Sequence, residues 1–159
     1  MPGLTAAVAR ELLGAARVAR LASVSADGAP HLVPVTFALD GDTIYTAVDG
    51  KPKTTRGLRR LDNIRRNPRV AVLADHYEED WAALWWVRAD GTATVAADPA
   101  LLTAPAALLT RRYPQYEQVP LPGPVIVIKV TAWTGWTAGP GDPADLRDPA
   151  GPREAPPPE

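Results

Sequence analysis

The sequence predicts a mainly β chain of the α+β class, an antiparallel barrel with peripheral helices covering it. Three observations carry this. Short runs rich in Val, Ile and Thr recur between Gly, Pro and Asp turns. Helical periods are inserted late into that strand-heavy pattern instead of alternating with it. No G-x-G-x-x-G follows a strand, so a parallel nucleotide-binding sheet is not indicated.

The elements follow in order. Residues 4–17 read as a helix: Thr5 can cap it, and Val8, Leu12, Leu13 and Ala16 recur at helical spacing. From Ala19 the period changes to a short strand. Ala26-Asp27-Gly28-Ala29-Pro30 is a hairpin turn in which Gly28 can take positive φ. One strand is expected over His31–Leu39, a tight turn at Asp40-Gly41-Asp42, and a third strand over Thr43–Val48, giving an antiparallel meander. A helix beginning at Thr54 or Thr55 carries Leu58, Leu61 and Ile64 on its buried stripe and stops near Asn67-Pro68, because proline disfavours helix for the residue before it. Arg69–Asp75 is a buried strand. Ala82–Ala97 is a long strand or bulged pair interrupted near Asp90-Gly91. Asp98-Pro99 opens a third helix to about Arg112, with aspartate as cap and proline at the first helical position; Pro105 is expected to kink or divide it. After a loop over 114–124, Val125–Thr137 is the last strand. Residues 139–159 hold Pro and Gly without apolar period and are expected to be a disordered tail behind a domain spanning 1–138.

The 159 residues fit one domain, and a hydrophobic share of 46% supports a core. A net charge of −1 argues against nucleic-acid or membrane binding by bulk charge, so any anion site must be local. The absence of cysteine excludes disulfides, thiolate catalysis and zinc–thiolate sites. The opening residues lack the apolar run of a signal peptide, which leads to the expectation of a cytoplasmic protein. There is no G-x-S-x-G elbow, and His76 beside Glu78, Glu79 and Asp80 is a poor metal cluster, because consecutive loop acids seldom converge on one ion. No metal site is expected, and no catalytic residue is assigned.

Two segments carry chemistry. Lys51 to Arg69 holds eight basic side chains in nineteen residues, several at a helix start beside the hydroxyls of Thr54 and Thr55. Such a cluster suits a phosphate or carboxylate, and without an anion the basic residues oppose the helix dipole. The second segment places Trp81, Trp85 and Trp86 within six residues. Tryptophan offers a flat face to a planar ring, though Trp85 and Trp86 point to opposite sides of a strand.

At these segments the chain resembles the pyridoxamine-phosphate-oxidase-like split-barrel family, and more closely its deazaflavin-dependent branch, found in actinobacteria, which uses coenzyme F420. The likeness rests on ARLASVSADGAPHLVPVTFAL, the DGKPKTTR…LRRLDNIRRNPRVAVLADHYEEDW block, LWWVRADGTA and TAWTGWTA, together covering roughly residues 5–138. The resemblance implies an FMN-binding-type split barrel of six strands, a homodimer with cofactor sites at the interface, and hydride transfer between F420 and a small unsaturated organic substrate. It implies ring contacts from Pro34, Val35 and Thr36, further contacts from Thr46, Ala47 and Val48, and phosphate contacts from Lys51, Lys53 and Thr54. Arg60 precedes Asn63-Ile64 at the family's spacing, so Lys53 and Arg60 are both candidates for the phosphate. Trp86 and Arg88 are expected near the ring or across the dimer. An FMN-dependent oxidase or flavin reductase of the same fold is the nearest alternative, followed by a non-catalytic binder of a flavin-like cofactor or haem. Pocket shape is expected to depend on the 77–85 and 113–124 loops.

Overall fold

The structure, a computed structural model, describes residues 3–48, 56–119, 121 and 123–139. Among them, α1 (Ala6–Ala15) precedes β1 (Ala19–Val24), β2 (Pro30–Val35), β3 (Ala38–Asp40) and β4 (Thr43–Ala47). Then come α2 (Arg56–Arg66), β5 (Arg69–His76), β6 (Trp85–Ala96), α3 (Pro99–Arg112) and β7 (Val125–Thr137), with short 3₁₀ turns at Trp81–Ala83 and Pro114–Glu117. The expected tail falls outside the described residues from 140 onward. No helix among the described residues is long and apolar enough to cross a membrane.

One antiparallel sheet runs in the order β2-β1-β5-β6-β7-β4-β3. Its two edge strands are consecutive in sequence. Val35 ends β2 and Ala38 begins β3, and three residues of extended chain span at most about 11 Å. The sheet must therefore curl until its edges approach, giving a split barrel. Counted as one bent strand, β2 and β3 make six strands. The sequence reading is corrected here in one respect: the run His31–Leu39 is not a straight strand at the centre of a meander. Its first half pairs with β1 and its second with β4, and the break falls at Thr36-Phe37. The break has a cause outside the segment, because the Phe37 N–H donates to the Tyr113 hydroxyl (3.2 Å) and not to a strand.

Alternation fills the interior. Leu21, Val72, Val87, Ala89, Ile44 and Ile128 point inward with Phe37, and α1 adds Ala9, Leu12 and Leu13. Each fully buried leucine contributes about 1.5–3 kcal/mol relative to an exposed one. Thr5 caps α1 by accepting from the Val8 N–H (3.3 Å). The helix is held against the sheet by Asp42, which accepts from Arg10 Nη2 (2.7 Å) and from the Trp133 indole (3.0 Å). Those bonds, Trp133 first and Arg10 next, hold the Asp42 carboxyl below its usual range. Under α2, Leu61 and Ile64 join the core, while the side chain of Leu58 lies outside the described residues. The amide of Asn63 donates to Ser23 Oγ (3.2 Å), so this buried polar pair is satisfied. The outer side of β3–β4 is covered by α3, whose Leu109 packs with Ala38, Ala47, Val125 and Tyr113. The helix runs through Pro105 undivided, with that ring buried, so the expected division does not occur.

The interruption foreseen near Asp90-Gly91 is a shift of register between β6 and β7. It brings the chains so close that a Cβ on Gly91 would lie 2.4 Å from the Lys129 carbonyl oxygen. Gly91→Ala is therefore expected to destabilise the fold by about 1–3 kcal/mol. Urea denaturation measures this; an unchanged midpoint would show that the bulge relaxes freely.

Candidate cofactor site

The bend between β2 and β3 opens a cavity of about 400 Å³. Pro34, Val35 and Thr36 form one wall, Thr46 and Ala47 of β4 the second, Arg60 of α2 a third, and the segment Tyr113–Val119 closes it. The volume lies in the range of small-ligand sites.

The β2 wall has a particular chemistry. β2 pairs on one side only, with β1. Pro30 and Pro34 share a parity, and a proline is tolerated in such a strand where its missing N–H would have pointed to the open edge. The carbonyl of Pro34 and both backbone groups of Leu32 then face that edge, leaving acceptors and a donor for a ligand laid against it.

The closing segment is fixed by an arginine–tyrosine knot. Arg112, in the last turn of α3, reaches back to the carbonyls of Gly14 and Ala16 at the end of α1. Its Nε donates to the Tyr113 hydroxyl (3.1 Å), which also receives the Phe37 N–H and donates to the Arg17 carbonyl (2.9 Å). Three bonds use that hydroxyl fully. The guanidinium of Arg17 lies 4.8 Å from the Tyr113 ring centre, and that of Arg112 lies 4.8 Å from Phe37. One helical turn further on, the Tyr116 hydroxyl lies 2.6 Å from Thr36 Oγ1, joining the closing segment to the bend itself.

Charge enters from α2. Arg60 lines the cavity. Arg59 and Arg66 turn instead to a second cavity of about 500 Å³, bounded by Ser25, Asp27, Asp62 and Asn63. His31, opposite Ser23 in the strand pair, lies near α2. Burial first, then the charges of Arg59 and Arg60, lower its pKa below the ordinary 6.5. The neutral ring is the folded form, so its stabilising contribution is whole above pH 6.5 and drains away as pH falls below it. In an NMR titration of the free protein His31 is expected to give a midpoint below 6.5. An anion bound beside the two arginines should raise that midpoint; a midpoint at or above 6.5 in the free protein would contradict the arrangement.

Of the residues singled out from sequence, the structure thus brings Pro34, Val35, Thr36, Thr46, Ala47 and Arg60 around one cavity. Val48 follows β4 and is buried in the core, its N–H donating to the Pro124 carbonyl (3.1 Å). Lys51, Lys53 and Thr54 lie outside the described residues. Trp86 and Arg88 sit on the outer face of the sheet away from this cavity, with Arg88 paired to Asp90 (3.0 Å). Sequence reading placed the 113–124 loop beside the pocket but did not single out Tyr113, Gln115, Tyr116 or Val119. The available signal was two tyrosines three apart directly after a helix, in a chain with four tyrosines in all.

Comparison with known proteins agrees with this architecture. The family model described as pyridoxamine 5'-phosphate oxidase matches residues 5–137. Among solved structures, the conserved hypothetical protein Rv2991 from Mycobacterium tuberculosis superposes with a TM-score of 0.68 at 21% identity, over 85% of this chain and 86% of that one. A FAD-binding protein from Mesorhizobium loti gives 0.64 at 24% identity, over 84% and 95%. A heme binding protein from Mycobacterium smegmatis gives 0.66 at 19% identity, over 88% of this chain and 58% of that one. These identities speak for the fold. A search of curated proteins returns no match.

Proposed function

The chain belongs to the pyridoxamine 5'-phosphate oxidase family, and from that premise we propose that it is an oxidoreductase holding a flavin or deazaflavin ring in the cavity at the β2–β3 bend, with F420 as the cofactor. When bound, that ring supplies hydride transfer to or from a small unsaturated substrate. The protein's part is to hold and orient. The open edge of β2 offers the Pro34 carbonyl and the Leu32 backbone to the polar rim of a flat ring, and Val35 and Ala47 are apolar neighbours.

The observation that carries this reading is the direction of the α2 arginines. Arg60 lines the first cavity, and Arg59 and Arg66 line the second, where they stand beside Asp27 and Asp62. FMN ends in one phosphate, for which Arg60 is enough. F420 carries a phosphodiester and a longer polyanionic tail, which an extended row of guanidiniums suits better. Titration with F420, followed by its fluorescence, tests the choice against FMN and FAD in parallel. Saturation by F420 at micromolar concentration supports the reading; tight binding of FMN alone would move the protein to the flavin enzymes of the same fold, and binding of none would end the redox reading.

The same reading includes a homodimer. Register puts Leu32, Leu73, Trp86 and Arg88 on one outer face of the sheet, where Leu32 is 66% and Leu73 37% exposed. A second copy would cover these apolar side chains and bring Trp86 and Arg88 towards its partner's cavity. Sedimentation analysis gives twice the chain mass if so; Leu73→Glu is expected to yield the monomer.

A further inference from the structure

His31 is linked to both cavities but lines neither. The charges that act on its ring are those of Arg59, which lines the second cavity, and Arg60, which lines the first. The Nδ1 atom of the ring is buried and has no hydrogen-bond partner among the described residues. Its cross-strand neighbour on β1 is the neutral Ser23, whose Oγ accepts from Asn63 of α2 (3.2 Å). Buried polar atoms are normally bonded, so an orphaned nitrogen calls for a cause. The nearby acids do not supply a partner. Asp27, in the turn after β1, acts on Arg59, but its carboxylate already accepts from the Ser25 hydroxyl and from the Ala29 N–H. Asp62 of α2 is paired with Arg65 (3.6 Å). Neither Arg59 nor Arg66 forms an ion pair among the described residues. An imidazolium in this place would face two guanidiniums with no counter-charge of its own, and the free protein therefore keeps the ring neutral.

We propose that His31 couples proton uptake to the binding of an anion along α2, so that an anionic cofactor is held more firmly in mildly acid than in mildly alkaline solution. The inference rests on the reading of the two cavities as the place of the cofactor's anionic groups. An anion set among the guanidiniums cancels the repulsion that opposes charge on the ring. The ring then takes one proton from solvent, and the only covalent change is the new N–H bond. By linkage the reverse holds, and protonation of His31 tightens the anion by the factor with which the anion favours the proton. Arg59 acts on the ring more strongly than Arg60. An anion that extends to the second cavity is therefore the stronger trigger, and one confined to the first the weaker.

Inorganic sulfate is the probe, because its charge is fixed across this range, and arginine does not titrate here either. NMR titrations of the full chain with sulfate, at about pH 5.5 and about pH 8 and at one ionic strength set by sodium chloride, give the affinity and the state of the His31 ring together. Wild type is expected to bind sulfate about three- to tenfold more tightly at the lower pH, since a midpoint raised by one pH unit corresponds to about tenfold. His31→Gln, which cannot charge, is expected to bind sulfate with one affinity at both. Calorimetry of wild type in two buffers of different ionisation heat counts the proton without any variant: a fraction of a proton should be taken up near about pH 6.5 and none near about pH 8. Equal affinity at the two pH values, absence of proton uptake, a pH effect that survives in His31→Gln, or no sulfate binding at all overturns the inference. The cofactor reading fails separately. If sulfate binds with proton uptake while no flavin or deazaflavin binds, only the redox assignment falls; if a cofactor binds and sulfate brings no proton with it, only the role of His31 falls.

Discussion

Replacing Arg60 by glutamine is expected to weaken cofactor binding by roughly ten- to hundred-fold, the cost of one charge-assisted hydrogen bond to an anionic group. Among the described side chains of α2, Arg60 is the cation that lines the cavity at the β2–β3 bend, where in the proposed reading it would meet an anionic group of the cofactor. A glutamine of similar reach keeps a donor but loses the charge and the two-pronged geometry that suits phosphate. Two comparisons make the result specific. Arg69→Gln, at the exposed start of β5, should leave affinity unchanged. Arg59→Gln and Arg66→Gln should each weaken F420 several-fold and FMN hardly at all, because in the proposed reading only a long tail would extend to the second cavity, which these two arginines line. Fluorescence titrations at two salt concentrations measure all four, with a smaller salt dependence for the arginine variants. Undiminished binding in Arg60→Gln would remove the electrostatic basis of the proposed site.

What could be read beforehand divides along the line between local and distant causes. The span Val125–Thr137 is read correctly to the residue, because a run of β-branched side chains and its flanking prolines specify it locally. Asp98 and Pro99 announce the start of α3 for the same reason, and the aspartate does accept from the Ala100 N–H (3.0 Å). The bend at Thr36-Phe37 left no such trace. Alternation continues across it, and the bond that turns the chain comes from Tyr113, 76 residues away. The site shows the same division. Its strand residues came from likeness to a family, whereas Tyr113 and Tyr116 gain their roles only when α3 lays its end across the barrel mouth. Trp86 and Arg88 show the converse. Strand parity fixed that Trp85 and Trp86 oppose one another, and the sheet sends Trp85 into the core and Trp86 outward. Parity alone could not say that neither tryptophan lines the cavity.

Tyr113→Phe should produce the largest loss of stability among the site substitutions, about 2–4 kcal/mol, although it removes a single oxygen. The ring stays packed, since Tyr113 is 7% exposed among Leu109, Ala38 and Ala47, so no cavity forms. What changes is hydrogen bonding. The Phe37 N–H lies beside a fully buried residue at the bend and loses its acceptor. The Arg17 carbonyl loses its donor, and Arg112 loses one of the contacts that orient it towards the end of α1. Leaving a buried donor unsatisfied costs about 1–3 kcal/mol by itself, and the part-buried partners add less because water can reach them. At this chain length each kcal/mol lowers the melting temperature by about 2–4 °C, so a fall of roughly 5–15 °C is expected by calorimetry. Tyr116→Phe is the matched control. It also removes one phenolic oxygen three residues away, but the bond it loses faces a cavity where water can replace it, so its melting point should stay within about 2–4 °C of wild type. If the two variants melted together, the bend would not depend on the distant tyrosine, and the closure of the barrel mouth would need another cause.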